Sequence, residues 1–251
     1  MVKQTVNGGR RMQCEEFLKV PVDVLDYEDI IKQVEPFIAE NRQMRITSVN
    51  PQIVVEIQQY PEVLQYIRKS TFRIPDGIGI VKASQMRKGK IHQRITGIEV
   101  MYLLLDKANQ LGESIFLYGA RPHVVKKAAE NIQKQYPNIR IAGYIDGYTS
   151  LSEEEVIKAI NKSKATFVFV ALGFPLQEQW LARNAAELNA NVIEDVGGSL
   201  DVISGEVKRA PQIFQTLNLE WLYRSLSQRG RLHRLFQLPL FLWKVKREKM
   251  D

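Results

Sequence analysis

The chain has 251 residues, 45% of them hydrophobic and 25% charged, the balance of a folded globular protein, which excludes disorder or a fibrous repeat as its main theme. A single cysteine, Cys14, excludes an internal disulfide and a cysteine-based zinc cluster, and a chain of this size buries roughly three quarters of its unfolded surface without such staples. The formal net charge of +7 admits nucleic acid, an anionic membrane or a phosphorylated substrate as partner.

The amino terminus, MVKQTVNGGRRMQCEE, lacks the apolar core of a secretory signal, so the chain is expected to stay in the cytosol. Residues 45–49 and 72–74 are candidate strands, with one helix over 51–68 between them. Asp23 and Asp26 read as a loop leading into a helix, not as a metal-binding carboxylate pair. Past residue 110 the order is regular. A buried-strand pattern at 114–120 (SIFLYGA) precedes a helix over 122–135 with proline in its first turn. RIAGY at 140–144 is the next strand, and Ser152 with Glu155 forms a capping box that opens a helix through Asn161. TFVFVAL at 166–172 is a continuous apolar strand, followed by a helix over 177–188 and a strand over 191–196. Strands without alternation, separated by helices, indicate a mostly parallel sheet covered on both faces. The expected fold is therefore α/β, a Rossmann-like sheet flanked by helices.

The charge is concentrated at the carboxy end. Residues 224–249 hold eight basic side chains and one acid, Glu248, which leaves 27 bases against 27 acids in the rest. A short apolar block at 235–243 lies within this basic stretch, as expected of a segment resting in a headgroup layer. The other reading of the block is a helix that docks Leu235, Phe236, Leu240 and Trp243 on the body. The longest stretch free of acids and bases, 165–177, has thirteen residues, short of the roughly 20 that a spanning helix needs.

In parallel sheets, ligands bind beyond the carboxyl ends of the strands. The loops there are SVNP at 48–51, PDGIG at 75–79, GARP at 119–122, GFPLQE at 173–178 and GGS at 197–199. Helices starting after Asn50, Arg121 and Gln177 would turn free N–H groups toward an anion or a sugar. Asp76, between a strand and a glycine turn, is placed to act as a general base, although an Asp before Gly also serves as an ordinary turn residue. A dinucleotide fingerprint is missing, because the position of its third glycine is Lys82. The three histidines, His92, His123 and His233, are scattered and read as surface residues, so no metal is expected.

Taken together, eight motifs resemble the WecG/TagA/CpsF family of bacterial glycosyltransferases over about residues 18–245: TSVNPQIV at 47, IPDGIGIV at 74, QRITGIEV at 93, IFLYGA at 115, YPNIRIAGYIDGY at 136, VALGFPLQEQW at 170, VGGSLDVISGEVKRAP at 196 and LEWLYR at 219. The resemblance implies transfer of a sugar from a UDP-sugar to a polyprenyl-diphosphate-linked sugar at the inner face of the cytoplasmic membrane, with inversion and without a metal or other cofactor. It assigns the catalytic base to Asp76, the donor pocket to Arg94 and Gln177, and a place in the first substrate loop to Asn50. Ser48 stands where the family usually has Thr, and Glu99 replaces a common Asp. Arg224, Arg231 and Arg234 match arginines of an appendage that closes over the site and holds a diphosphate, while Arg209 reads equally as structural. The expected organisation is a catalytic domain over 1–205 and a basic, amphipathic appendage over 206–251, with self-association through the body. N-acetylmannosamine is the expected sugar; glucose and N-acetylmannosaminuronic acid are the alternatives. A module binding nucleic acid or membrane through the tail and an NAD-dependent dehydrogenase are the competing classes. The sequence lacks a recognised nucleic-acid reading motif, so no nucleic-acid partner is expected.

Overall fold

The computed structural model describes residues 3–7, 10–208, 210–211, 214 and 237–248. Arg209, Arg224, Arg231 and Arg234, with His233, Leu235 and Phe236, lie outside them.

Six strands form the central sheet: β4 (Met44–Val49), β5 (Phe72–Pro75), β6 (Ser114–Gly119), β7 (Arg140–Ile145), β8 (Phe167–Ala171) and β9 (Val192–Asp195). Their order is β5-β4-β9-β8-β6-β7, and every pairing is parallel. Every residue of β8 is buried, which explains the lack of alternation in FVFVA. Val168 and Val170 enter one core and Phe167 and Phe169 the other, because successive side chains point to opposite faces.

Helices cover both faces. On one lie α3 (Pro51–Glu56), α4 (Pro61–Lys69), α5 (Ile78–Met86), α8 (Glu153–Ser163) and α9 (Leu176–Asn184). On the other lie α1 (Tyr27–Ile31), α2 (Val34–Ala39), α6 (Gly97–Leu111), α7 (Pro122–Gln135) and α10 (Ser199–Ile203). The α/β expectation holds, and α7 and the capping box of α8 form where the sequence places them.

Three expectations need correction. The single helix over 51–68 is broken: α3 passes through a short 3-10 turn, Ile57–Gln59, before α4 begins at Pro61. Proline excludes the helical conformation from the residue before it, and Tyr60 accordingly sits at φ −131° and ψ 76°. Asp23 does not belong to a loop, since it ends a buried strand and pairs with Arg73, while Asp26 caps α1. That strand, β3 (Val20–Asp23), belongs to an antiparallel sheet with β1 (Lys3–Asn7) and β2 (Arg10–Phe17) that the sequence reading did not assign.

The third correction concerns the carboxy-terminal helix, Gln237–Arg247. It packs against α3 and α5. Phe241 and Val245, four residues apart, are the buried pair, and Phe241 meets Phe17 edge to face at 6.2 Å between ring centroids. Leu240 and Trp243, turned inward in the docking reading, face outward at 40% and 51% exposure, with the Arg247 guanidinium 4.2 Å from the Trp243 ring centroid. The helix end is fastened by Arg87, whose Nη2 donates to the Val245 carbonyl and to Glu248, each at 2.7 Å. The Leu18 N–H also donates to Glu248, at 3.0 Å. No helix among the described residues is long and apolar enough to cross a membrane.

Candidate active site

After β4 the chain turns to one face of the sheet, into α3, and after β9 to the other, into α10. The two strands are neighbours, so their crossovers part and leave a crevice at their carboxyl ends, the position where open α/β sheets bind ligands. A cleft of about 310 Å³ occupies it, lined by Ser48, Asn50, Asp76, Arg94 and Gln177 together. All five sequence-derived candidates among the described residues therefore meet in one cavity. Gln237 and Leu238, at the start of the carboxy-terminal helix, reach the same cleft.

Each wall has a local reason for its shape. The Asp76 N–H donates to the carbonyls of Val49 and Ile74, both at 2.9 Å, which ties the exit of β5 to the end of β4. Gly77 follows at φ +100°, a conformation that L side chains rarely adopt, and allows α5 to start at once beside the aspartate. Asn50 caps α3, its Oδ1 accepting the Ile53 N–H at 3.0 Å, with Pro51 in the first turn. Its carbonyl oxygen is thus committed to the helix. The opposite wall is the amino end of α6, where a Cβ on Gly97 would come 3.0 Å from Ser48 Oγ, a tight contact that glycine avoids. Glu99 accepts bonds from the Tyr27 hydroxyl at 2.5 Å and the Thr96 hydroxyl at 2.8 Å and so belongs to the support of that turn.

Gln177 is the second residue of α9, not the one before it, and is buried. Its Oε1 accepts the N–H groups of Gly173 at 3.1 Å and Gly197 at 3.2 Å. Its Nε2 donates to Glu178 Oε1 at 2.9 Å. One amide thus joins the loops after β8 and β9.

Three acids around this wall were not anticipated. Asp195 accepts the Thr47 hydroxyl at 2.5 Å and the Ser48 N–H at 3.0 Å. Burial pushes its carboxyl well above the usual range, the Glu178 charge adds to the rise, and the two bonds oppose it. Burial likewise lifts Glu178 to about 7, against the Gln177 hydrogen bond. Glu194 is wholly buried with neither oxygen hydrogen-bonded, and burial, aided by Asp195, raises it well above its ordinary value. The signal in the sequence was the Glu-Asp pair closing an apolar strand with both faces covered. His123 is 63% exposed, as expected of a surface histidine, with Nε2 3.6 Å from Glu206. Among the described residues no three His, Cys, Asp or Glu side chains are grouped to hold a metal ion.

A family model for WecG/TagA/CpsF glycosyl transferases matches residues 15–251. The chain belongs to the WecG/TagA/CpsF family. Its relatives include proteins of Staphylococcus aureus strains MW2 and NCTC 8325, each 36% identical over 236 residues that cover 93% of this chain and 92% of the relative. Both relatives are named N-acetylglucosaminyldiphosphoundecaprenol N-acetyl-beta-D-mannosaminyltransferase. As a WecG/TagA/CpsF protein the chain is a glycosyltransferase, and the resemblance drawn from its eight motifs holds over nearly the whole length.

Proposed function

We propose that this glycosyltransferase moves N-acetylmannosamine from a UDP-sugar to a polyprenyl-diphosphate-linked N-acetylglucosamine, with inversion and without a metal. The observation that carries the reading is the meeting of Asp76 with Ser48, Asn50, Arg94 and Gln177 in one cleft at the switch point of the sheet. The relatives' shared name supports the choice of sugar and acceptor.

In this mechanism Asp76 takes the proton from the acceptor hydroxyl, which attacks the anomeric carbon from the face opposite the UDP. One carboxylate suffices, because a single displacement forms no glycosyl-enzyme intermediate. Arg94 offers a planar, permanently charged fork to the diphosphate, and the amino end of α6 adds N–H groups at the same wall. Ser48 and Gln177 complete the donor pocket, while Asn50, held by its capping bond, shapes the first loop. Residues 206–251 act as an appendage that brings Arg224, Arg231 and Arg234 over the leaving diphosphate.

A screen of several UDP-sugars with a short-chain lipid-diphosphate acceptor tests the reading. UDP release is expected with UDP-N-acetylmannosamine and is expected to persist in excess chelator. Failure of every donor would refute the assignment, and loss of activity on chelation restored by magnesium would refute metal independence.

Attachment to the inner face of the cytoplasmic membrane is part of the same proposal. Leu240 and Trp243 face outward beside Lys244 and Arg247, the composition of a segment that rests among headgroups. Replacing Arg224 and Arg231 together by Ala should lower turnover about 100-fold, the scale of losing a donor to the leaving group, with the unfolding transition unchanged. If membrane recovery fell while turnover held, these arginines would be anchors.

A further inference from the structure

Within the cleft wall, Glu178 and Asp195 hold together the segments that carry the site. Asp195 grips the end of β4 through the Thr47 hydroxyl and the Ser48 N–H, next to Ser48 and Asn50 of the cleft. Glu178 fixes the Gln177 amide, which in turn binds the N–H groups of Gly173 and Gly197. Both side chains are at least 98% buried, and Glu178 Oε2 has no hydrogen-bond partner.

Two carboxylates this deeply buried repel each other, and two further acids interact with Asp195: Glu194, the residue before it on β9, and Asp76, at the exit of β5. The other titratable groups facing the pair are Tyr66 of α4, a fully buried phenol that feels both acids, and Arg45 of β4, whose charge acts on the same phenol. Arg45 bonds Gln43 through its Nε at 2.5 Å. The carboxylates of the wall would therefore repel the diphosphate that the cleft is proposed to bind, were all of them ionised.

We propose that Glu178 and Asp195 are positioning residues of the transfer reaction, one protonated and one ionised, so that they brace the cleft through hydrogen bonds without placing a second negative charge beneath the diphosphate. The proposal rests on the reading of the cleft as a UDP-sugar site. The buried, unpaired Oε2 of Glu178 is the atom that carries the proton, which leaves Oε1 to accept from Gln177 and leaves Asp195 as the double acceptor for β4. Loss of the proton adds a charge under the donor and weakens its binding.

The test uses the full-length chain, with donor KM and kcat followed from about pH 6 to about pH 9, on either side of the Glu178 transition. In the wild type, donor KM should rise about tenfold across this range, equivalent to about 1.4 kcal/mol of lost binding, while kcat changes little. Glu178→Gln keeps an acceptor for Gln177 and places a neutral donor where the proton sits, so its donor KM should stay flat with pH. Glu178→Ala removes the support of Gln177 and should lower kcat at every pH. A Glu178→Gln profile that rises as the wild type does, or a Glu178→Ala variant indistinguishable from Glu178→Gln, overturns the proposal.

A second readout needs no turnover. The infrared C=O stretch of a protonated carboxyl, taken as the difference between wild type and Glu178→Gln without substrate near pH 6, should show one lost band; Glu194 contributes equally to both proteins and cancels. No difference would refute a protonated Glu178. If the band is lost but the wild type turns over no donor, the UDP-sugar reading has failed and the pair would brace some other anion site.

Discussion

Replacing Asp76 by Asn should lower the rate of sugar transfer about 100- to 10,000-fold, the contribution of a positioned general base, and leave donor binding within a few-fold of the wild type. The asparagine preserves the shape and polarity of the side chain but cannot take a proton. The backbone of Asp76 donates to Val49 and Ile74, a bond the substitution keeps, so the exit of β5 retains its geometry. Removing one negative charge from the wall that holds Asp195 and Glu178 should also ease the approach of an anionic donor. The expected signature is therefore a fall in kcat without a rise in donor KM, measured by UDP release. Equal turnover by wild type and variant would show that the proton is taken elsewhere. A loss confined to KM would assign Asp76 to binding.

The parts of this molecule that were legible in the sequence are those set by local rules. A run such as FVFVA can only be a strand buried on both faces, and Ser152 with Glu155 marks a helix start whatever surrounds it. The loops after such strands were sufficient to bring Ser48, Asn50, Asp76 and Gln177 to one cleft, because parallel strands place all their carboxyl ends on one edge; Arg94, between α5 and α6, was singled out only by the family resemblance. The break at Tyr60 was legible too, through Pro61, and was outweighed by the helical period on both sides.

The amino-terminal sheet was harder. The turn between β2 and β3 uses Leu18 and Lys19 at φ +49° and +68°, left-handed positions normally taken by Gly or Asn, so the usual hairpin signal is absent there. Asn7-Gly8-Gly9, between β1 and β2, did carry that signal. The docking face of the carboxy-terminal helix followed from the position of Phe17 and Arg87 on the body, far away in sequence, and not from the apolarity of 235–243. The acids of the cleft wall were missed for the same reason: whether the charge of Glu178 reaches Asp195 depends on the order of strands, which periodicity does not encode.

The largest effect on stability is expected at Asp23. Its carboxylate accepts the Arg73 backbone N–H at 2.8 Å and Nε at 3.0 Å, and also meets Nη2. Both residues are buried, at 0% and 1% exposure. Arg73 lies on β5, the edge strand of the main sheet, so this one side chain satisfies an outward N–H of that edge and joins it to the amino-terminal sheet. Truncating Asp23 to Ala removes the carboxylate bonded to this buried guanidinium and should destabilise the fold by about 3–5 kcal/mol. That is a large part of the roughly 5–15 kcal/mol that holds a typical domain. A urea titration should show the midpoint falling accordingly. Because β5 delivers Asp76 to the cleft, the variant should also lose turnover at temperatures where it remains folded. Asp23→Asn, which keeps acceptors but not the charge, should fall between wild type and Asp23→Ala. Combining Asp23→Leu with Arg73→Met should recover much of the loss, since removing both charges also removes the cost of burying either alone. A midpoint shift worth less than about 1 kcal/mol in Asp23→Ala would place the pair among solvent-relaxed ion pairs and deny it the role of joining the two sheets.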